Sequence, residues 1–289
     1  MYDYHEVATL DSLIENVEIK KINNHNYDSL YQRRLEDFLK NNIKKKYGNI
    51  LVVATIFLIE KYNKKGSNEI SEENQWYYRN KEFANLFEKM LRLITKSKIY
   101  SLISIEYYNG YPILIVGEPD GLSFEGKMNN KAKIFEVKSF NLTRFIQFVK
   151  ELRDYILIKK VLNMIKENSS QLILYQYLLE RTQKFGLIGK IDKINLYGEI
   201  YLYSNSKEYL SWARKIIEQN LNIIKKYAIK YNVYNLSLKD GGTININNEN
   251  IYYFKIGFRV KYDQKTVENY LKNLNELIKS FKLVDNRSL

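Results

Sequence analysis

The chain has 289 residues, 45% of them hydrophobic and 14% aromatic, which is enough apolar material for a large core and excludes wholesale disorder. Lysine and arginine number 46 against 33 acidic residues, so the formal charge is +13 and a polyanion (nucleic acid or an anionic membrane surface) is the expected partner. The lack of cysteine excludes disulfides, thiolate nucleophiles and zinc ribbons, and two histidines argue against a histidine-rich metal site.

The N-terminal part has the apolar spacing of helices. Residues at intervals of three and four predict helices around Tyr27–Lys45 and Ile50–Tyr62, followed by a polar loop at Gly66–Glu73. An amphipathic helix is expected at Asn80–Thr95, with its apolar residues on one face.

The period then changes to that of strands. Ile99–Tyr108 and Tyr111–Val116 flank Asn109-Gly110, a strong hairpin signal, and a third strand is predicted at Ala132–Phe140 after a polar loop. This strand-rich centre is followed by two predicted helices, Leu142–Glu167 and Ser170–Gln183.

The last third of the chain mixes both patterns. A hairpin is predicted near Leu187–Asn195 and Glu199–Tyr203, with its turn at Tyr197-Gly198. A helix capped by Ser206 should run to about Tyr231. The final predicted elements are a strand after Asp240-Gly241-Gly242, at Ile251–Val260, and a helix at Gln264–Phe281. This order points to one α/β domain.

The segment that carries chemistry is Gly117-Glu118-Pro119-Asp120-Gly121, followed fifteen residues later by Glu136-Val137-Lys138. Alternate side chains of a strand share a face, so Glu136 and Lys138 should project together. The neighbouring strand can bring Asp120 alongside Glu136. Two carboxylates can hold Mg²⁺ or Mn²⁺, hard cations that prefer oxygen ligands, and Lys138 can stabilise charge that develops on phosphorus.

These residues resemble the PD-(D/E)XK nuclease superfamily. Pro119-Asp120 matches the first half of its signature and Glu136-Val137-Lys138 the second. Gln171-Leu172-Ile173-Leu174-Tyr175 is similar to the Gln-x-x-x-Tyr helix of the RecB-like branch, which includes the exonucleases of CRISPR adaptation. The resemblance covers residues 80–204 and implies a restriction-endonuclease-like core, a mixed central sheet flanked by helices.

The resemblance also implies a role for each matched position. Asp120, Glu136 and the Val137 carbonyl would ligate the metal, and Lys138 would be the catalytic lysine. Gln171 and Tyr175 would position nucleic acid and active-site groups.

The chain departs from this branch in three ways. It has no cysteines for an iron–sulfur cluster and no histidine on the helix before the first strand, where other superfamily members carry a glutamate. Glu88 is the first candidate for that position and Glu82 the second, while Glu118 could share the face of Asp120. The long interval from Lys138 to Gln171 predicts an extra helix.

Three sections follow from this reading: a helical N-terminal region at 1–79 packed on the core, a nuclease core at 80–231, and a strand–helix extension at 232–289. The flanking sections would shape a DNA channel or the interface of a homo-oligomer. Basic runs with nearby tyrosines, such as Lys44-Lys45-Lys46 beside Tyr47 and Lys225-Lys226 beside Tyr227, are candidate grooves for a single strand.

The expected function is that of a metal-dependent deoxyribonuclease, an exonuclease acting on single-stranded DNA or on free ends. The alternatives are an endonuclease of the same fold, a nucleic-acid-binding protein on that scaffold, and a basic protein that docks on an anionic membrane or another protein. The longest apolar run, Ile50–Ile59, is about half a membrane span, and the N-terminus has no signal-peptide core, so a cytoplasmic protein without membrane association is expected. The abundance of Ile, Lys, Asn and Tyr suggests an A+T-rich genome, and we expect an archaeal or viral source.

Overall fold

A computed structural model describes residues 8–23, 26–55, 81–126, 129–246, 248–272 and 274. Within these ranges the protein is α/β, with two mixed sheets flanked by helices. The strands are β1 Ala8–Thr9, β2 Leu51–Ala54, β3 Leu102–Tyr108, β4 Tyr111–Gly117, β5 Gly121–Glu125, β6 Lys131–Asn141, β7 Lys193–Ser204, β8 Val233–Ile246 and β9 Glu249–Val260.

The helices lie between and beside these strands. They are α1 Leu10–Asn23, α2 Ser29–Phe38, α3 Lys81–Thr95, α4 Leu142–Phe148, α5 Arg153–Lys184, α6 Lys207–Gln219, α7 Leu221–Ala228 and α8 at 264–272. A π-helical stretch at Leu39–Lys44 and a last turn at Lys45–Tyr47 extend α2, and a 3₁₀ turn at Ile229–Tyr231 follows α7. None of the described helices has the length and apolar character needed to cross a membrane.

The two sheets are joined by a short segment that belongs to neither, which we call the sheet break. The four-stranded sheet has the order β1-β2-β4-β3, and the five-stranded sheet has the order β5-β6-β7-β9-β8. Two neighbouring pairs are parallel, β2 with β4 and β6 with β7, and the others are antiparallel. Because β4 ends at Gly117 and β5 begins at Gly121, Glu118-Pro119-Asp120 joins one sheet to the other.

Strand β6 is covered on both faces. Ala132 and Ile134 belong to the main core, which includes much of α5, while Phe135 and Val137 pack with Phe87 and its neighbours on α3. This explains why the centre of β6, from Ile134 to Val137, is apolar on both faces apart from Glu136.

Several predicted elements are confirmed. The hairpin β3–β4 turns at Asn109-Gly110, both of which have positive φ, and α3 and β6 lie where the sequence placed them. Ser206 caps α6 by accepting a hydrogen bond from the Tyr209 amide. Helix α4 is the extra helix expected between Lys138 and Gln171.

Other predictions were wrong. One of them failed because a short apolar run does not distinguish a helix from a strand. Leu51–Ala54, expected within a helix, is the buried strand β2 beside β4, and the rest of that predicted helix lies largely outside the described residues. Strand β5 lies between the predicted hairpin and the polar loop before Ala132, where the sequence predicted no strand. The break between the two predicted helices after β6 falls at residues 149–152, so α5 is a single helix of 32 residues.

Two glycines lie inside strands rather than in turns. Gly198 was expected in a turn but lies inside β7, where a Cβ would come within 2.3 Å of the Phe258 ring and 2.7 Å of Asn168 Oδ1. Gly241 lies in β8 at a register irregularity, and a Cβ there would be 1.6 Å from the Tyr253 carbonyl oxygen. Both glycines permit close packing rather than chain reversal.

The predicted three-part division crosses both sheets. Strand β2 of the N-terminal section pairs with β4, and β9 of the C-terminal section pairs with β7. The helix expected at Gln264–Phe281 is observed at 264–272 and beyond that lies mostly outside the described residues. The boundaries at 79 and 231 stay a prediction.

Candidate active site

The break between the two sheets places Asp120 beside β6. Strand β5 pairs with β6 only as far as Phe135, opposite Gly121. Past that point Asp120 Oδ2 accepts a hydrogen bond of 2.6 Å from the Val137 amide. Arg92 on α3 also contacts this residue, since its Nη1 donates a hydrogen bond of 3.0 Å to the Asp120 carbonyl oxygen. Asp120 therefore lies alongside the Glu136–Lys138 strand, as the sequence predicted.

Glu136 and Lys138 form a buried ion pair on one face of β6. Lys138 Nζ donates to Glu136 Oε1 at 2.9 Å, and the side chains are only 11% and 4% exposed, respectively. Glu136 Oε2 is buried as well, and within the described part of the chain it has no hydrogen-bond partner. A buried carboxylate oxygen without a partner is costly, so this atom is suited to a ligand that brings positive charge.

The acids in this region outnumber the cations that balance them. Burial raises the pKa of Asp120 well above its usual range, and the nearby carboxyls of Glu136 and Glu88 raise it further, while Lys138 and the Val137 amide act in the opposite direction. Burial also raises the pKa of Glu88, with Arg92 opposing it and Glu136 adding to it. Three carboxyl groups therefore interact through a poorly solvated region.

Glu88 is the acid of α3 that lies near the site. Its Oε2 is 3.6 Å from Arg92 Nη1, and its pKa responds to both Glu136 and Lys138. Glu82, the second candidate, is exposed in the first turn of α3. Glu118 belongs to a different cluster: it accepts from Lys20 at 2.7 and 2.8 Å, from the Tyr27 hydroxyl at 3.1 Å and from Ser101.

The predicted Gln171 and Tyr175 both lie on the buried face of α5, but only Tyr175 is tied to the acids. Its ring fills the space beside Gly117, where a Cβ would be 2.8 Å from Tyr175 Cε1. Burial, followed by the charges of Glu136 and Asp120, raises the pKa of its hydroxyl. Gln171 is 3% exposed, and no hydrogen bond among the described residues joins it to Asp120, Glu136 or Lys138.

Two residues of the site were missed by the sequence analysis. Asn168, one turn before Gln171, is fully buried, and its Nδ2 donates to the Glu136 carbonyl oxygen at 3.0 Å. Arg92 contacts both the Asp120 carbonyl and Glu88. A polar residue three positions before Gln171 and a cation four positions after Glu88 are helical neighbours of predicted site residues, which is the signal that could have found them.

The donor set fits a hard divalent cation. Asp120 and Glu136 supply carboxylate oxygens, one of them buried without a partner, and a cation would relieve the mutual repulsion of the acids. Among the described residues no three His, Cys, Asp or Glu side chains come together as a metal-ligand group. The fit therefore rests on the two carboxylates, with the Val137 carbonyl as the further ligand that the resemblance implies.

No protein-family model matches the sequence, and no curated protein or solved structure matches the chain.

Proposed function

We propose that the chain is a divalent-metal-dependent nuclease that hydrolyses phosphodiester bonds of DNA, with a restriction-endonuclease-like core and a RecB-like exonuclease activity. The observation that carries this proposal is the position of Asp120, whose carboxylate accepts from the amide between Glu136 and Lys138 at 2.6 Å. Residues separated by the loop and by β5 thereby form one acidic site with one lysine.

The proposed roles follow from the contacts. Mg²⁺ or Mn²⁺, held by Asp120, Glu136 and the Val137 carbonyl, would polarise the phosphoryl oxygen and acidify the attacking water. Lys138, 2.9 Å from Glu136, would stabilise the negative charge that develops on phosphorus. Water oxygen bonds to phosphorus, the bond to the 3′ oxygen breaks, and the product keeps its 5′-phosphate.

The surrounding residues position these groups. Asn168 fixes the backbone of β6 through the Glu136 carbonyl, and Arg92 fixes the backbone of Asp120. Glu88 and Tyr175 interact electrostatically with the acids and complete the buried surroundings. Gln171 would act on the nucleic acid, as the resemblance implies. The site would work on DNA in the cytoplasm.

A second candidate is a DNA-binding protein on the same scaffold that does not hydrolyse its ligand. It is favoured by the pairing of Lys138 with Glu136 and by the lack of a three-side-chain ligand group among the described residues. Metal-independent binding without cleavage would identify this function.

The deciding experiment incubates wild type, Asp120→Ala and Lys138→Ala with end-labelled single- and double-stranded DNA, with and without Mg²⁺ or Mn²⁺. Degradation is expected only for wild type with metal, and the Lys138 variant should still bind DNA. Matched controls are Lys190→Ala and Asp192→Ala, which remove an exposed pair with a separation of 3.8 Å. Wild-type cleavage by Lys138→Ala would refute the role of this lysine.

The same assay distinguishes modes of cleavage. An exonuclease releases nucleotides from ends and leaves closed circular DNA intact. Discrete fragments from a closed circle would instead identify an endonuclease.

A further inference from the structure

A pocket with charged and aromatic lining residues lies on the face of the five-stranded sheet opposite Glu136. Phe135 precedes Glu136 on β6 and therefore points to the other face, where its register partner Tyr197 lies on β7. The pocket, of about 170 Å³, is bounded by the last turns of α3 and by the sheet. We call it the Lys239–Lys255 pocket; its lining includes Thr95, Phe135, Tyr197, Glu199, Lys239 and Lys255.

Positive charge exceeds negative charge in this pocket. Lys239 on β8 and Lys255 on β9 are direct register partners, and like charges at such positions destabilise a sheet. Glu199 is the carboxylate between them: it lies 2.9 Å from Lys255 Nζ and 3.9 Å from Lys239 Nζ. One carboxylate compensates one of the two lysines, so an anion would stabilise the pair.

The side chain of Lys239 is packed in a position from which it can contact such an anion. Gly257, opposite Glu199 on the neighbouring strand, leaves space that the Lys239 stem fills, since a Cβ at Gly257 would be 2.8 Å from Lys239 Cε. The Lys239 side chain is nevertheless 51% exposed, whereas that of Lys255 is 21% exposed. The ammonium group of Lys255 therefore lies in the more buried part of the pocket, and that of Lys239 lies nearer to solvent.

Aromatic rings form the neighbouring wall. Phe135 and Tyr197 are stacked, with centroids 5.3 Å apart and planes inclined by 20°. The Arg259 guanidinium lies 5.2 Å from the Tyr197 centroid and Lys255 Nζ lies 5.4 Å from that of Tyr201. Cations interleaved with aromatic rings are the combination that binds phosphates and bases of unpaired nucleic acid.

We propose that the Lys239–Lys255 pocket binds a nucleotide unit, with its phosphate between the two ammonium groups and its base against the Phe135–Tyr197 wall. The unit comes either from a single strand or from a free nucleotide. The pocket is distinct from the candidate active site, because it lies on the face of β6 opposite the side chain of Glu136, where Leu91 and Thr95 of α3 line it.

The test measures binding in EDTA, so that its result does not depend on hydrolysis. A short labelled oligothymidylate is titrated by fluorescence anisotropy, and thymidine monophosphate and inorganic phosphate are used as competitors. Lys239→Gln with Lys255→Gln should weaken oligonucleotide binding about tenfold or more and lower the salt slope by about 0.7, the value for one lost phosphate contact on a single strand. The matched control is Lys98→Gln with Lys190→Gln, which removes two exposed lysines outside the pocket.

A second variant, which should strengthen binding, distinguishes the loss of a binding site from misfolding. Glu199→Gln keeps the shape of the side chain and removes the competing charge, so it should tighten oligonucleotide binding about threefold. If thymidine monophosphate competes with the oligonucleotide for wild type but not for the double variant, the ligand is a free nucleotide. If the double variant loses oligonucleotide binding and the monophosphate does not compete even for wild type, the ligand is a single strand. Binding by the double variant equal to that of the matched control, or competition by inorganic phosphate as strong as by the nucleotide, would overturn the proposal.

Discussion

Two acidic clusters of this protein show opposite electrostatic behaviour. In the N-terminal helices, Glu36 receives Lys21 Nζ at 2.5 Å and Lys40 Nζ at 2.8 Å, and these hydrogen bonds lower its pKa to about 2. At the sheet break, burial and neighbouring carboxyls raise the pKa of Asp120. The first cluster is complete without a ligand, and the second contains excess negative charge. That imbalance, rather than the presence of acids, marks a candidate site.

The largest difference is expected in hydrolysis. Glu136→Gln should reduce metal-dependent cleavage at least about a hundredfold, because it removes the charge of a proposed metal ligand. Glu36→Gln should leave the rate within about twofold, since Glu36 stabilises the helices only. Initial rates on end-labelled DNA measure both, and equal losses would erase the distinction between the clusters.

The next effect concerns the support of the site. Asn168→Ala leaves the Glu136 carbonyl without its donor and should lower the free energy of unfolding by about 1–3 kcal/mol, the cost of a buried unsatisfied group. Urea unfolding monitored by circular dichroism measures this loss. Asn16→Ala is the control, because Asn16 donates at 3.0 Å to the Ser12 carbonyl in a part-buried position and should cost less.

The third and smaller effect should be an increase in stability rather than a loss. A raised pKa means that folded Asp120 binds its proton more tightly than the unfolded chain does, so stability declines as pH rises from about 3.9 through the folded-state pKa. Asp120→Asn removes that decline and should raise the melting temperature at pH 7 without metal by about 2–4 °C, equivalent to about 1 kcal/mol. A lower melting temperature in calorimetry would contradict the assignment of excess charge.

The smallest effect completes the comparison. Because the pKa of Glu36 is lowered to about 2, its pairing stabilises the fold above the unfolded value near 4.3 and is lost as pH falls towards 2. Glu36→Gln should destabilise the protein by about 1 kcal/mol or less at pH 7. The difference from wild type should shrink between pH 4.5 and pH 2, as followed by urea unfolding at each pH; a constant difference would refute the role of ionisation.

The central pattern of the site could be predicted from the sequence because strand alternation is a local rule. It placed Glu136 and Lys138 on one face, and the Asn109-Gly110 turn correctly aligned the strands that lead to Asp120. The partner of Glu118 could not be predicted in this way, since Lys20 is 98 residues distant in the chain. Local spacing contains no information about contacts of that kind.

The glycines of β7 and β8 illustrate the same limit. Gly198 and Gly241 have the same local chemistry as turn glycines, and only Phe258 and Tyr253, brought in by strand pairing, explain why they lie within strands. The contact of Asn168 has a related cause: its position one turn before Gln171 is visible in the sequence, but its partner, the Glu136 carbonyl, is brought opposite it only by the fold.

The tripeptide between β4 and β5 is attached from two sides. Lys20 of α1 binds Glu118, while the β6 amide at Val137 binds Asp120. Displacement of the four-stranded sheet by one ångström would alter the spacing of the acids, and misplacement on that scale reduces enzymatic rates by about a hundredfold. Movement of α1 would therefore be transmitted through Lys20 and Glu118 to the acids beside β6.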